Sequence, residues 1–201
     1  MKLLYGTTNK SKITFMQGKV AHLGLEIISL SDIQAPKPDI KENGNSPLDN
    51  AKIKALAYYE ALKIPLFSCD SGLYIDGLDE VRQPGINVRG KDDHMNDDDA
   101  IAYYSALADE MGGKMVARYK NAICLVLDAG QVFCHMGSDI ASDSFYIVSK
   151  PHVKRNAGFP LDSLSVDIES GRYYLDMDEP HKFVEAEENG FANFFKKCLF
   201  P

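Results

Sequence analysis

The stretch from Leu66 to Asp76, Leu-Phe-Ser-Cys-Asp-Ser-Gly-Leu-Tyr-Ile-Asp, constrains this chain more than any other. An apolar run stops at Asp70, a glycine follows two residues on, and an apolar segment then resumes. The pattern predicts a buried strand with a carboxylate set at its end. In open α/β sheets ligands bind beyond the carboxyl ends of strands, where side chains leave the core but stay rigidly held. A turn with a capping Asp has the same local pattern. What separates the two readings is whether other segments bring chemistry to the same place.

The flanking segments are of the α/β kind. Lys2 to Gly6 reads as a short buried strand, and Ile13, Met16 and Val20 recur at helical spacing through His22. Between them lies Thr7-Thr8-Asn9-Lys10-Ser11-Lys12, a polar turn and helix N-terminus. Backbone N–H groups and the helix dipole suit such a turn to phosphate; an ordinary βα loop with solvated lysines is the other reading. Leu25 to Leu30 predicts a second strand, and Ala35 to Pro47 a loop. Leu48 to Leu62 predicts an amphipathic helix. Asp49 in its first turn is favoured by the helix dipole; equally, it offers a hard oxygen to magnesium while Lys54 faces phosphates.

Further on, Gln83-Pro84-Gly85 turns the chain towards Arg89, whose role nothing local decides. Asp97 to Asp99 precede the helical pattern of Ile101, Tyr104, Leu107 and Met111, and read as cap and first turn rather than, with Asp92 and Asp93, as a metal cluster. Met115 to Leu127 is a long strand, and Asp128-Ala129-Gly130 turns it into Gln131 to Ile140 as a hairpin. Ser142 to Ser149 is a further strand. The loop Lys154 to Asp162 displays Phe159 and Asp162, a ring able to stack on a base and a carboxylate able to meet its edge. A core Phe beside a turn Asp fits that loop as well. Phe183 to Leu199 suggests a closing helix with His181 and Lys182 at its entry.

With 201 residues, no internal repeat and no linker, residues 1–201 read as a single domain. No apolar run approaches the length needed to span a bilayer, and the start is not a signal peptide. The four cysteines are widely spaced, with no Cys-x-x-Cys pair. Neither a zinc site nor a disulfide framework is expected, and a reduced, cytoplasmic setting fits. A net charge of −7 argues against a broad nucleic-acid-binding surface. A small anionic ligand, held by a few lysines and a divalent cation, remains open.

Set together, these residues resemble the inosine triphosphate pyrophosphatase family, which acts on non-canonical purine nucleoside triphosphates. Thr8-Asn9-Lys10-Ser11-Lys12 is similar to that family's Thr/Ser-x-Asn-x-x-Lys loop. Asp49-Asn50-Ala51-Lys52-Ile53-Lys54-Ala55 resembles its Glu-Asn-Ala-x-x-Lys-Ala helix, and Cys69-Asp70-Ser71-Gly72-Leu73 its Asp-Asp-Ser-Gly-Leu. Pro84-Gly85-Ile86 follows, Gly158-Phe159-Pro160-Leu161-Asp162 resembles Gly-Phe-Gly-Tyr-Asp, and Pro180-His181-Lys182 stands where Ser-His-Arg precedes the last helix. Each motif is weak alone; their order from residue 7 to 182 makes them specific.

The resemblance implies an elongated two-lobed α/β fold around a long curved mixed sheet with flanking helices, the nucleotide in the cleft between lobes, and a homodimer. It implies hydrolysis of substrates such as ITP, dITP or XTP at the α–β phosphoanhydride, giving monophosphate and pyrophosphate with magnesium. Thr8, Asn9, Lys12 and Lys54 would grip phosphates, Asp49 and Asp70 would hold the metal, and Asp70 with Lys12 would carry catalysis. Ser71, Phe159, Asp162, His181 and Lys182 would meet the base. Membrane and nucleic acid have no part in it. Cys69 stands where the family has a first Asp, and Lys182 where it has Arg, whose planar fork a lysine cannot supply. An altered base preference is therefore expected, and the alternative is a catalytically weak nucleotide-binding protein that kept its phosphate cradle.

Overall fold

The computed structural model describes residues 1–33, 38–90, 94–177 and 190–200. Among them are seven strands: β1 (Lys2–Tyr5), β2 (Glu26–Ser29), β3 (Leu66–Ile75), β4 (Lys114–Asp128), β5 (Gln131–His135), β6 (Phe145–Val148) and β7 (Ser165–Val166). The four α-helices are α1 (Lys10–Val20), α2 (Pro47–Leu62), α3 (Asp97–Glu110) and α4 (Gly190–Leu199). The strands form one mixed sheet in the order β2-β1-β3-β4-β6-β7, with β5 paired to β4. This is the mixed α/β architecture expected from the sequence. The chain divides into two compact units, and the long strands β3 and β4 each supply residues to both.

The first unit comprises Met1–Ser71, Lys120–Ala141 and Phe183–Pro201. Its parallel ladder runs β2-β1-β3, in a register that pairs Lys2 with Glu26 and Leu4 with Leu66. Side chains alternate across these strands. Leu3, Tyr5, Phe67, Ile123 and Leu125 pack on one face with Met16 and Val20 of α1 and Phe191, Phe194 and Phe195 of α4. Leu4, Leu66, Ala122, Cys124 and Val126 pack on the other with Ala51 and Ala55 of α2. Both faces being covered, these strands carry near-continuous apolar runs, as Leu66-Phe67 does.

The second unit comprises Gly72–Tyr119 and Ser142–Lys182. Here β4 pairs antiparallel with β6, and β6 with β7. Ile101, Tyr104, Leu107 and Ala108 of α3 pack with Leu73, Ile75, Met115, Ala117, Phe145 and Ile147. Asn96 caps α3 by accepting from the Asp99 amide at 3.0 Å, so Asp97–Asp99 form its first turn, as expected, one residue after the cap itself.

Three expectations change. The strand carrying Asp70 does not end there but runs on to Ile75. It continues because Leu73 exchanges both backbone hydrogen bonds with Gly85, at 2.8 and 2.9 Å, and because β4 flanks it. The hairpin's second strand stops at His135, short of Ile140. Finally, Cys124 and Cys134 face each other across β4 and β5, with Cα atoms 4.1 Å apart, and are joined as a disulfide. They lie equally far from the Ala129 turn, and an antiparallel hairpin pairs such positions.

A cross-link enclosing so short a loop contributes about 2–3 kcal/mol by chain-entropy arguments. Dithiothreitol is expected to lower urea stability by that amount, and Cys134→Ser to reproduce the loss and abolish the reductant's effect. An unchanged unfolding midpoint under reductant would show that the pair contributes nothing.

Candidate active site

The first unit gathers a charged cluster where β1 ends. β1 pairs with β3 only as far as Tyr5 opposite Phe67, and the Gly6 amide then donates to the Phe67 carbonyl at 2.8 Å. Beyond that point β3 has lost its β1 neighbour, so Cys69 and Asp70 look onto the turn that leaves β1. Gly6 allows the close approach: a Cβ there would collide with Ser68 Oγ and lie 2.8 Å from the Tyr58 ring. Ser68 Oγ itself is buried without a hydrogen-bond partner, a cost accepted for that packing.

The turn then enters α1 through Asn9, whose side-chain oxygen accepts from the amides of Ser11 at 2.9 Å and Lys12 at 3.3 Å. Two donors of the helix terminus are thus taken by the cap. Thr8 and Lys12 are exposed. The Lys12 ammonium is close enough to Cys69 to act on its thiol, as is that of Lys54.

Lys54 is the centre of the cluster. Its Nζ donates to Asp70 Oδ1 at 2.9 Å and to Glu42 Oε2 at 2.8 Å. Lys54 and Asp70 are mostly buried, their side chains 12% and 15% exposed, whereas Glu42 reaches in from the surface. Burial alone would lower the lysine pKa; the two carboxylates outweigh it and hold the ammonium above its usual value of 10.5. Cys69 behaves differently. Burial of its thiol pushes it up to about 12 despite a hydrogen bond with Tyr5 and the two lysines, so it stays neutral near pH 7. Burial, then Cys69 and Asp70, raise the Tyr5 phenol as well.

Asp49, in the first turn of α2, serves the helix terminus. It completes a capping box: Ser46 Oγ accepts from the Asp49 amide at 3.1 Å and donates to Asp49 Oδ2 at 2.9 Å, and the Asn45 amide donates to the same oxygen at 3.2 Å. The carboxylate expected to hold a metal also caps α2, and the second carboxylate on Lys54 is Glu42, which sequence reasoning passed over as loop. Its signal lay in Gly44 and Asn50. Asn50, buried in the first turn of α2, accepts from the Gly44 amide at 2.9 Å, and a Cβ on Gly44 would lie 2.5 Å from Asp49 Cβ. Those contacts fold the Glu42 loop onto the helix. Ser71 donates to Asn121 Oδ1 at 2.7 Å, and Asn121 in turn donates to the Ile140 carbonyl at 2.8 Å.

The second unit holds a pocket of about 270 Å³ lined by Ile86, Val88, Arg89, Tyr119 and Gly158–Asp162. Phe159, 52% exposed, lines the pocket rather than joining the core. Asp162 accepts from Asn156 Nδ2 at 2.7 Å. Burial, with the Asp162 charge adding to it, pushes the Tyr119 phenol up to about 12. The structure therefore brings Phe159 and Asp162 together on one apolar-walled cavity. His181 and Lys182 lie outside the described residues.

Comparison with known proteins identifies the family. Residues 3–163 match the model of the Ham1 family. A dITP/XTP pyrophosphatase of Brucella melitensis is 34% identical over 202 residues, covering 96% of this chain and 87% of the relative. One from Rhodopseudomonas palustris is 34% identical over 136 residues, 65% of this chain and 63% of the relative, so that alignment spans under two thirds of the relative's length. Among solved structures, a HAM1 protein from Coxiella burnetii superposes with a TM-score of 0.69 at 20% identity, covering 96% of this chain and 93% of that one.

The raised Lys54 pKa sets the sign of a pH effect. Its stabilisation is fully present below the unfolded value of 10.5 and is lost as pH rises through the higher folded value. Lys54→Met is expected to cost about 2 kcal/mol at pH 8, because it strands a mostly buried carboxylate. The gap between parent and variant should begin to narrow above pH 10.5. Urea titrations at pH 8 and pH 11 check both; a gap that widens with pH contradicts the assignment.

Proposed function

This chain belongs to the Ham1 family, and from that premise we propose that it hydrolyses non-canonical purine nucleoside triphosphates, such as ITP, dITP and XTP, at the α–β anhydride to monophosphate and pyrophosphate. The observation that carries the reading is Lys54 bridged between Asp70 and Glu42 beside the Thr8–Lys12 turn. A polyphosphate needs cations on its oxygens and a carboxylate near the attacking water, and this cluster has both. Lys54 spends two of its three N–H bonds on carboxylates and keeps one for a phosphate oxygen. Lys12 and Thr8, exposed at the helix entrance, bind further phosphate oxygens, with Asn9 holding the turn in shape. Asp70 orients the water and takes its proton as the new P–O bond forms and the anhydride breaks, with pyrophosphate leaving.

A divalent cation fits the donor set. Glu42 and Asp70 are brought within reach of one Lys54 ammonium, and each would keep a second carboxylate oxygen to offer to a metal. Among the described residues no three acidic, His or Cys side chains form a cage. Two hard carboxylates, with water and substrate oxygens completing the shell, suit magnesium rather than a structural zinc. Glu42 and Asp70 are its protein ligands in this reading, in place of Asp49. When bound, the ion neutralises phosphate charge and polarises the scissile linkage.

Phe159 stacks on the base and Asp162 meets its edge, with Ser71, His181 and Lys182 as further base contacts carried from the resemblance. A homodimer rests on the same resemblance; the cytoplasmic setting rests on the cysteine spacing, and the Cys124–Cys134 disulfide stands against it. No helix among the described residues is long and apolar enough to cross a membrane.

Incubation with magnesium and a panel of ITP, dITP, XTP and canonical triphosphates should release pyrophosphate and monophosphate, fastest from the non-canonical purines. Asp70→Asn should lower kcat by roughly a hundredfold or more, and a chelator should abolish turnover. Glu42→Gln should raise the magnesium requirement about tenfold, whereas Asp49→Asn leaves it unchanged. Orthophosphate in place of pyrophosphate would refute cleavage between the α and β phosphates. Nucleotide binding with no turnover on any substrate would make the chain a binder.

A further inference from the structure

The pocket of the second unit is held by a device that the reaction chemistry does not use. Arg89 Nη2 donates to Asp97 Oδ1 at 2.6 Å and to the Gly158 carbonyl at 3.0 Å, while Arg89 Nη1 donates to the Met95 carbonyl at 3.0 Å. The other oxygen of Asp97 accepts from the Gly158 amide at 2.8 Å. One ion pair thus grips both backbone groups of a single residue, 61 positions along the chain from Asp97. Gly158 is left-handed, φ +84°, so the grip fixes the residue in a conformation that only glycine takes without strain. Phe159 follows directly, and its carbonyl accepts from the Asp162 amide at 3.2 Å.

Asp97 is itself anchored, being in the first turn of α3 behind the Asn96 cap. The same helix holds the opposite wall, since Tyr104 Oη donates to the Val88 carbonyl at 2.8 Å. Both backbone segments lining the pocket are therefore referenced to one helix. The Arg89–Asp97 pair is only partly buried, at 21% and 37% exposure, so its contribution to overall stability is modest. Its geometric consequence is larger: the Phe159 amide closes the loop on itself by donating to the Asn156 carbonyl at 2.9 Å, and the ion pair is what ties that loop to α3.

We propose that Arg89 and Asp97 are positioning residues for base recognition, their ion pair clamping the Gly158 peptide so that the Phe159 ring and the Asp162 carboxylate stay aligned on the pocket. This rests on the reading of that pocket as the base site. The clamp acts on the base and not on the phosphates, and this separates it from a general structural role.

The test is calorimetric binding of two probes in the presence of magnesium, inosine 5′-monophosphate and inorganic tripolyphosphate. Asp97→Ala and Arg89→Ala should each weaken the monophosphate roughly tenfold, a partial loss of base stacking, and leave tripolyphosphate unchanged. Phe159→Ala should do the same, and Asp97→Ala added to Phe159→Ala should cost little more, because both remove one interaction. Asp97→Asn keeps an acceptor for the Gly158 amide and should fall between parent and Asp97→Ala; it carries the comparison if Asp97→Ala does not fold. Equal losses on both probes, or additive losses in the double variant, would overturn the clamp, as would a parent that binds no monophosphate. A parent that binds both probes yet releases no pyrophosphate from any triphosphate would refute the hydrolytic reading and leave the clamp to stand on its variants.

Discussion

The charged cluster around Lys54 depends on an inequality of strand lengths. β1 is four residues long and β3 is ten, and they pair in parallel only from Leu4 to Tyr5. Where β1 stops, its chain must leave the sheet, and it does so through the Gly6–Asn9 turn beside the continuing β3. Two things follow from that mismatch. A helix N-terminus is delivered next to a strand, and the strand's Cys69 and Asp70 are freed from a neighbour on that side. The stacked rings of Tyr5 and Phe67, 4.4 Å between centroids, hold the last paired rung in place. α2 then needs only to pack Ala51 and Ala55 against the sheet to bring Lys54 to Asp70.

The same mismatch explains why the sequence pattern places a strand end at Asp70 although β3 continues to Ile75. The apolar break at Asp70-Ser71-Gly72 looked like a strand end. The end that matters belongs to β1, and β3 runs through. Hydrophobic pattern reports where side chains lose the core, and a strand that loses a neighbour produces the same pattern as a strand that stops. The elements themselves were legible because their periodicities are strong, with α2 and α3 matching expectation to within a residue or two.

What escaped was everything fixed by long-range pairing. Asp49 and Glu42 are both acidic residues near a helix start, and sequence position favours the one inside a motif. Which carboxylate reaches Lys54 is decided by Ser46, which claims Asp49 for the cap, and by Asn50, which folds the Gly44 loop inward. Cys124 and Cys134 were separable from the free Cys69 and Cys198 only through hairpin register. Arg89 gave no local signal because its partners are Met95, Asp97 and Gly158, and the last of these is contributed by a distant loop.

The neutral thiol of Cys69 changes the charge balance that the cluster presents. Lys54 pairs with Asp70 and Glu42, Lys12 acts on the Cys69 thiol, and with that thiol protonated two cations and two carboxylates are gathered there. A carboxylate in place of that thiol would leave the cluster net negative, and a polyphosphate could approach it only behind a cation. In the proposed function, a neutral thiol would let phosphate binding lean less on the metal. A thiol also offers no carboxylate oxygen, so holding the metal would lean harder on Glu42 and Asp70. Cys69 would shift the balance from the cation towards the phosphates, and through burial, since an exposed thiol at this position would ionise more readily beside two ammonium groups.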